Sequence, residues 1–224
     1  KLGILLEYGT ERVSLNAQTL NQSTLDRIGR AHTTEAFFRA WDLLSGSGLF
    51  VNTDLIAGLE GETETDFQET IERVMDLRPH SVSVHTLALK RSSADQQALA
   101  DAGSSPRRLY TYDDAAGATA GRMLQYAQDR LEADGLLPYY LYRNKNGLGR
   151  LENVGYAPPG EGNLYNVAMM SGERTILGFG AAAVSKWAGG RVKRQPNWRN
   201  LRQYLADPGQ MAQRKAEWLR KITN

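Results

Sequence analysis

Residues 51–63 read V-N-T-D-L-I-A-G-L-E-G-E-T, a short strand that runs into a glycine-rich turn and then into a helix. With alternation extended one step back, Leu49, Val51, Thr53 and Leu55 share one face of the strand. Phe50, Asn52, Asp54 and Ile56 share the other. A parallel strand buried on both faces is near-continuously apolar. An Asn and an Asp two residues apart near the carboxyl end therefore need solvent or a ligand, and in an α/β barrel that end is where ligands sit.

Working outward, Arg12–Gln18 alternates in the same way, with Val13, Leu15 and Ala17 apolar and Ser14, Asn16 and Gln18 polar. Residues 1–9 read as the tail of a helix that stops at Gly9, and Leu20–Arg30 as irregular chain with one helical turn. Thr33 or Thr34 caps a helix striped by Phe37, Ala40, Trp41 and Leu44 and stopped by Gly46 and Gly48. Downstream, Thr63 and Asp66 form a capping box for a helix that buries Phe67, Ile71, Val74 and Met75. That helix ends near Arg78, because Pro79 follows. Ser81–Leu89 is a third strand of the same kind, with Val82, Val84 and Thr86 on one face and Ser83, His85 and Leu87 on the other. The spacing of about 30 residues per unit is that of βα units. Polar faces on all three strands predict a barrel around a ligand cavity. The alternative is an open sheet with these groups at its rim.

The second half is less regular. Residues 90–110 read as a linker or mobile loop, and Thr111 with Asp114 as a capping box. The helix that follows carries Met123, Leu124, Tyr126, Ala127 and Leu131 to about Asp134, with Gly135 ending it. Tyr139–Arg143 reads as an aromatic strand, and 144–163 as too rich in glycine and proline for regular structure. Leu164–Met170 and Thr175–Gly180 are expected to pair as a hairpin, as are Val184–Trp187 and Arg191–Arg194. Helices at 197–206 and 209–222 close the chain, the first striped by Trp198, Leu201, Tyr204 and Leu205.

Composition excludes several classes. At 224 residues the chain holds one large domain or two small ones. A formal net charge of +2 is too small to argue for nucleic acid. The Arg-rich stretches 191–202 and 214–221 read instead as a solvated face. No apolar run reaches the length of a membrane span and no signal peptide opens the chain, so a cytoplasmic protein is expected. With no cysteine, disulfides and thiolate-held iron–sulfur clusters are excluded within these residues. Lys1 is not an initiator methionine, which suggests a chain that begins inside a longer protein.

Among motifs, Gly178-Phe-Gly180-Ala-Ala-Ala183 matches a dinucleotide fingerprint, but too little chain follows for its βαβ unit. Close packing in a hairpin is the better use of those glycines. Gly58 and Gly61 either present backbone amides to a ligand or simply make a tight turn. The polar set Asn16, Gln18, Arg30, Asn52, Asp54, Ser83 and His85 comes from equivalent places on successive units. A carboxylate and an amide there suit the vicinal hydroxyls of a ribose, and an Arg suits a carboxylate. His32 and His85 are acid–base groups or hydrogen-bonded structural ones. Residues 139–156, with Arg143, Lys145 and Arg150, read as a lid for a flat molecule carrying carboxylates, or as a solvated loop.

Seven phrases together resemble a known family: R-V-S-L-N-A-Q-T-L-N at 12–21, L-D-R-I-G-R-A-H at 25–32, N-T-D-L-I-A-G-L-E-G-E-T at 52–63, P-H-S-V-S-V-H-T-L-A-L-K-R at 79–91, Y-Y-L-Y-R at 139–143, L-E-N-V-G-Y at 151–156 and I-L-G-F-G-A-A-A-V-S-K at 176–186. The family is the radical S-adenosylmethionine enzymes, within it the oxygen-independent coproporphyrinogen III oxidase (coproporphyrinogen dehydrogenase) group and its HemZ-like branch. The resemblance implies an α/β fold, the C-terminal part of a partial six-stranded (β/α) barrel over 1–105, followed by a smaller α+β domain over 106–224. It implies S-adenosylmethionine as cofactor, with Gln18 and Asp54 on its ribose hydroxyls and Arg30 on its carboxylate. Asn16 would lie near it, and the segment His85, Thr86 and Leu87 would pass the adenine. Arg143, Lys145 and Arg150 would meet substrate carboxylates.

The chemistry implied is reductive cleavage of the cofactor by a [4Fe–4S] cluster fed by an electron donor. Hydrogen abstraction from a porphyrinogen propionate then gives a vinyl group and carbon dioxide. Two departures stand out. Glu60 replaces the family's Pro in Gly-Leu-Pro-Gly, and the cysteine motif that ligates the cluster has no counterpart. The expectation is therefore a fragment whose cluster ligands lie elsewhere and which is inactive alone. A haem-binding or haem-delivering relative, or an unrelated small-molecule-binding barrel, are the competing readings.

Overall fold

The computed structural model of the chain describes residues 1–88, 114–144, 147–189 and 192–223. The expected loop at 90–110, Thr111, the 105/106 boundary and Lys145 lie outside the described residues. The chain divides into two compact units, Lys1–Gly162 and Asn163–Asn224.

In the first unit, helix α1 (Leu2–Glu7) leads to strand β1 (Arg12–Ser14) and helix α2 (Gln22–Arg27), followed by helix α3 (Thr34–Ser45). Strand β2 (Phe50–Ala57), helix α4 (Glu64–Asp76) and strand β3 (Ser81–Thr86) continue it. Helix α5 (Asp114–Ala133), strand β4 (Leu137–Arg143), a 3-10 turn at Leu148–Arg150 and strand β5 (Glu152–Ala157) complete it. The local chemistry is that of the sequence. Thr33 caps α3, and Thr63 with Asp66 forms the reciprocal capping box of α4. After α4, Arg78 takes a left-handed φ of 53° just before Pro79.

The five strands form one mixed sheet in the order β1-β2-β3-β5-β4. The first three are parallel, and β5 runs antiparallel to both β3 and β4. Among the described residues the sheet does not close into a barrel. Strand β2 alternates strictly, with Val51, Thr53, Leu55 and Ala57 buried. Val51, Leu55 and Ala57 join a core that holds Phe37 and Trp41 of α3, Phe67, Ile71 and Val74 of α4, and Met123, Ala127 and Leu131 of α5. Each such fully buried side chain contributes about 1.5–3 kcal/mol, so this helix-covered face holds the sheet together. The other face, with Asn52 and Asp54, remains half-buried.

One segment of this unit overturns a sequence expectation. Residues 144–163 are not irregular throughout, because β5 lies within them and inside the sheet. Its Gly155 is there because the Tyr140 ring of β4 occupies the space a Cβ would fill. Residues 139–143 and 152–156 are consequently built into the sheet rather than forming a loose lid. Gly58 (φ 81°) and Gly61 (φ 74°) are tight-turn residues, with Leu148 against the first and the Arg27 guanidinium over the second.

The second unit comprises helix α6 (Leu164–Ser171), strands β6 (Val184–Trp187) and β7 (Lys193–Pro196), and helices α7 (Leu201–Ala206) and α8 (Pro208–Thr223). Here the expected hairpin over 164–180 fails, since 164–171 is helical. Asn163 caps the helix through Tyr165 N, Gly172 ends it at φ 74°, and Lys186 Nζ donates to the carbonyls of Ala168 and Met169. Short apolar runs do not distinguish strand from helix, and the end signals decide. The second hairpin forms, but β6 pairs with 193–196 instead of 191–194.

Leu201 and Leu205, expected on a buried stripe, are exposed. The basic run 214–221 is not wholly solvated either. Lys215 is buried, and its Nζ donates to Gly178 O at 2.7 Å, Ser185 Oγ at 2.7 Å and Asn197 Oδ1 at 3.1 Å. A buried ammonium is tolerable when its donors are all taken. Gly178 packs on the backbone of Val184.

Candidate functional site

The half-buried face of β2 and β3 carries a run of polar side chains because both strands alternate. Asn52 and Asp54 stand on β2 beside Ser81, Ser83 and His85 on β3, with Asn52 aligned to Ser81, Asp54 to Ser83 and Ile56 to His85. Asn52 Nδ2 donates to Asp54 Oδ1 at 2.7 Å. Ser81 Oγ and Ser83 Oγ donate to Asn52 Oδ1 at 3.0 and 3.4 Å. His85 Nε2 lies 3.8 Å from Asp54 Oδ1, within ion-pair reach but beyond hydrogen-bond length.

Gln18 arrives by a different route. After β1 the chain arches away and rejoins β2, where Gln18 N donates to Asp54 O at 2.8 Å and Ile56 N donates to Gln18 O at 2.9 Å. Gln18 holds a left-handed φ of 65°, an uncommon conformation for a residue other than glycine. The residue pairs with β2 beside Asp54, and backbone outliers of this kind cluster at functional sites. The Gln18 side chain is buried, with Nε2 directed to Asp54 O at 3.4 Å and Oε1 accepting from an Arg30 Nη at 2.8 Å. Arg30 is placed by α2. Asn21 caps that helix, Gly29 turns the chain at φ 68°, and Arg30 N returns to Leu25 O. Arg30, Gln18 and Asp54 thus form one connected group.

Burial pushes the Asp54 carboxyl up, but His85, Asn52 and Ser83 outweigh it and hold the group below its ordinary pKa. Near neutral pH it is an acceptor only. Glu62, on the turn beyond β2, is the opposite case. Burial drives it above its ordinary value despite the hydrogen bond from Thr19 and the nearby Thr24 hydroxyl. Thr19 Oγ1 donates to its Oε1 at 2.5 Å, while Oε2 is buried with no hydrogen-bond partner among the described residues.

The other sequence candidates are placed as follows. Asn16 is exposed on the arch between β1 and Gln18. Thr86 turns to the helical face, its Oγ1 on Glu152 O and its N on Asn153 Oδ1. Leu87 extends the β3 backbone, its N on Ala57 O and its O accepting from Leu148 N. Arg143 pairs with Glu152 across β4 and β5, and Arg150 is exposed on the turn at Leu148–Arg150. His80 is structural: its Nδ1 accepts from Val51 N and its ring lies against Phe50.

Sequence reading overlooked the position of Tyr140 and Tyr142. Both project from β4 over the same face, their rings stacked at 6.4 Å and 5°. The Y-x-Y spacing within a strand was the available signal.

No cysteine occurs in the 224 residues. Among the described residues no group of three or more His, Asp or Glu side chains could hold a metal ion. The thiolate set of an iron–sulfur cluster is therefore not supplied by these residues. No described helix is long and apolar enough to cross a membrane.

The family profile of the radical SAM superfamily matches residues 1–74. The oxygen-independent coproporphyrinogen-III oxidase-like protein HemZ of Bacillus subtilis is 38% identical over 188 residues, 84% of this chain and 36% of that protein. The heme chaperone HemW of Lactococcus lactis is 26% identical over 195 residues, 85% of this chain and 45% of its own length. The chain therefore spans between a third and a half of these relatives. Among solved structures, Escherichia coli coproporphyrinogen III oxidase HemN, described as a radical SAM enzyme, matches with a TM-score of 0.62. It is 23% identical over 91% of this chain and 44% of that one, a likeness of fold alone. Residues 1–74 thus belong to the radical SAM superfamily, and the chain has its affinity with the HemZ/HemN-like branch.

Proposed function

We propose that this chain forms the S-adenosylmethionine-holding part of a radical SAM oxidoreductase that acts on porphyrinogens. The observation that carries the reading is the connected group Arg30–Gln18–Asp54 beside β2. Its donor set fits the cofactor. The Asp54 carboxylate accepts from the two ribose hydroxyls, the Gln18 amide serves as second partner, and the Arg30 guanidinium pairs with the methionyl carboxylate. His85 shares the polar face with Asp54, and Asn16 and the backbone of Thr86 and Leu87 are further candidates for contact with the same ligand. S-adenosylmethionine, once bound and cleaved by one electron from a cluster held outside these residues, would supply hydrogen-atom abstraction. The residues of this chain supply orientation and charge pairing, which decide what the reactive carbon can reach.

For the whole protein, the likeness to HemZ supports oxidative decarboxylation of coproporphyrinogen III propionates to vinyl groups. Arg143, Lys145 and Arg150 are candidates for the substrate carboxylates, with Glu152 already competing for Arg143. Cluster ligands and an electron donor would come from outside these residues. The second reading, haem binding or delivery, is favoured by the likeness to HemW.

The test is cofactor affinity in the protein that contains this chain. Asp54→Ala removes a charged acceptor, each such hydrogen bond being worth about 1.5–3 kcal/mol, so S-adenosylmethionine should bind roughly tenfold to a hundredfold more weakly by calorimetry. Unchanged affinity would refute the site. Assay of the same protein with coproporphyrinogen III and with haem separates the two readings: carbon dioxide release supports the first, and stoichiometric haem binding without turnover supports the second.

A further inference from the structure

Two runs of side-chain contacts start on β4 and end on one oxygen of Asp54, the first closing through an imidazole at ion-pair distance and the second through hydrogen bonds. In the first, Tyr142 Oη lies 3.4 Å from His85 Nδ1, and His85 Nε2 lies 3.8 Å from Asp54 Oδ1. In the second, Tyr140 Oη lies 3.4 Å from Ser83 Oγ, Ser83 donates to Asn52 Oδ1, and Asn52 Nδ2 donates to Asp54 Oδ1 at 2.7 Å. Both chains reach Oδ1, and Oδ2 is the oxygen that neither of them uses. The two tyrosines are held in place by packing. Their rings stack on each other, and that of Tyr140 fits against the bare Cα of Gly155.

We propose that Tyr140 and Tyr142 are positioning residues that fix the Asp54 carboxylate through Oδ1 and so leave Oδ2 for the ligand's hydroxyls. This rests on the cofactor reading above. Tyr142 acts by setting the imidazole. A phenol that donates to Nδ1 leaves the ring hydrogen on Nε2, the nitrogen that faces Asp54. Tyr140 acts through the serine and the amide, whose Nδ2 cannot donate to Asp54 unless its Oδ1 faces the serines. Strand β4 is separated from β2 by β3 and β5, so the cofactor grip depends on a strand that the cofactor need not touch.

The experiment is a mutant cycle with S-adenosylmethionine as probe, measured by calorimetry in the whole protein. Tyr142→Phe removes one hydroxyl and should weaken binding about threefold to tenfold, the size of one ordinary hydrogen bond. His85→Phe should do the same, and the double variant should be no weaker than His85→Phe alone, since the two act in one chain. A second readout needs no ligand. In ¹⁵N spectra of histidine-labelled protein, His85 should carry its hydrogen on Nε2, and Tyr142→Phe should shift its tautomer while His80 stays unchanged. Independent effects of Tyr142→Phe and His85→Phe, or an unmoved His85 signal, overturn the positioning role even where Asp54→Ala abolishes binding. Retained affinity in Asp54→Ala signals instead that the cofactor reading itself has failed.

Discussion

Replacing Gly155 with Ala tests whether β4 and β5 fit together as described. Gly155 pairs with Ser83 on one side and Tyr140 on the other. Its φ is not left-handed, so the backbone accepts alanine, and in a strand that change alone would stabilise by about 0.5–1 kcal/mol. The added Cβ, however, would lie inside the Tyr140 ring. The ring must leave, giving up its stacking on Tyr142, its edge contact with Tyr139 at 4.8 Å and its bond to Ser83. Aromatic pairs are worth about 0.5–1.5 kcal/mol each and a neutral hydrogen bond about the same, so the net destabilisation should be about 1–3 kcal/mol. Urea unfolding followed by far-ultraviolet circular dichroism measures it. In a Tyr140→Ala background the collision is gone, and Gly155→Ala should become neutral or stabilising. An unchanged or raised midpoint in the single variant would refute the packing.

Two further outcomes follow from buried charged groups. The raised pKa of Glu62 means that its contribution to stability is complete below the ordinary glutamate range and is lost as pH rises through the raised value. Glu62→Gln should flatten that decline in urea midpoints taken across a pH series, and an identical slope in the variant would contradict the assignment. Lys215→Met keeps most of the volume but strips donors from Gly178 O, Ser185 Oγ and Asn197 Oδ1. It should cost the second unit about 2–4 kcal/mol, read by the fluorescence of Trp187, Trp198 and Trp218. A shift below about 0.5 kcal/mol would show that the ammonium bears no weight there.

Where periodicity and end signals agreed, the sequence was readable. The alternation over β2 placed Asn52 and Asp54 on the half-buried face, and the Thr63–Asp66 pair started α4 as expected. Gln18 was legible as a polar residue on an alternating segment. Its strained φ and its bond to Arg30 were not, because the arch after β1 depends on pairing with β2. Strand β5 was hidden by its own glycine, a strand breaker in isolation but required once Tyr140 lies over it. The helical state of α6 was not legible because Leu164–Met170, apolar apart from Asn166, carries no clear period, while Asn163 and Gly172 at its ends decide the matter. Lys215 reads as a surface lysine in any helix of that composition. Only the three acceptors that converge on it, from Gly178, Ser185 and Asn197, reveal that it is inside.

The central claim is that Asp54, Gln18 and Arg30 receive one ligand together. A crystal structure of the protein that contains this chain, grown with S-adenosylmethionine, tests it most directly. The account predicts ribose hydroxyl oxygens within about 2.5–3.0 Å of Asp54 Oδ2 and the methionyl carboxylate in a two-pronged pair with Arg30. Cofactor density elsewhere, with Arg30 still bound only to Gln18 and solvent on Asp54, would contradict it.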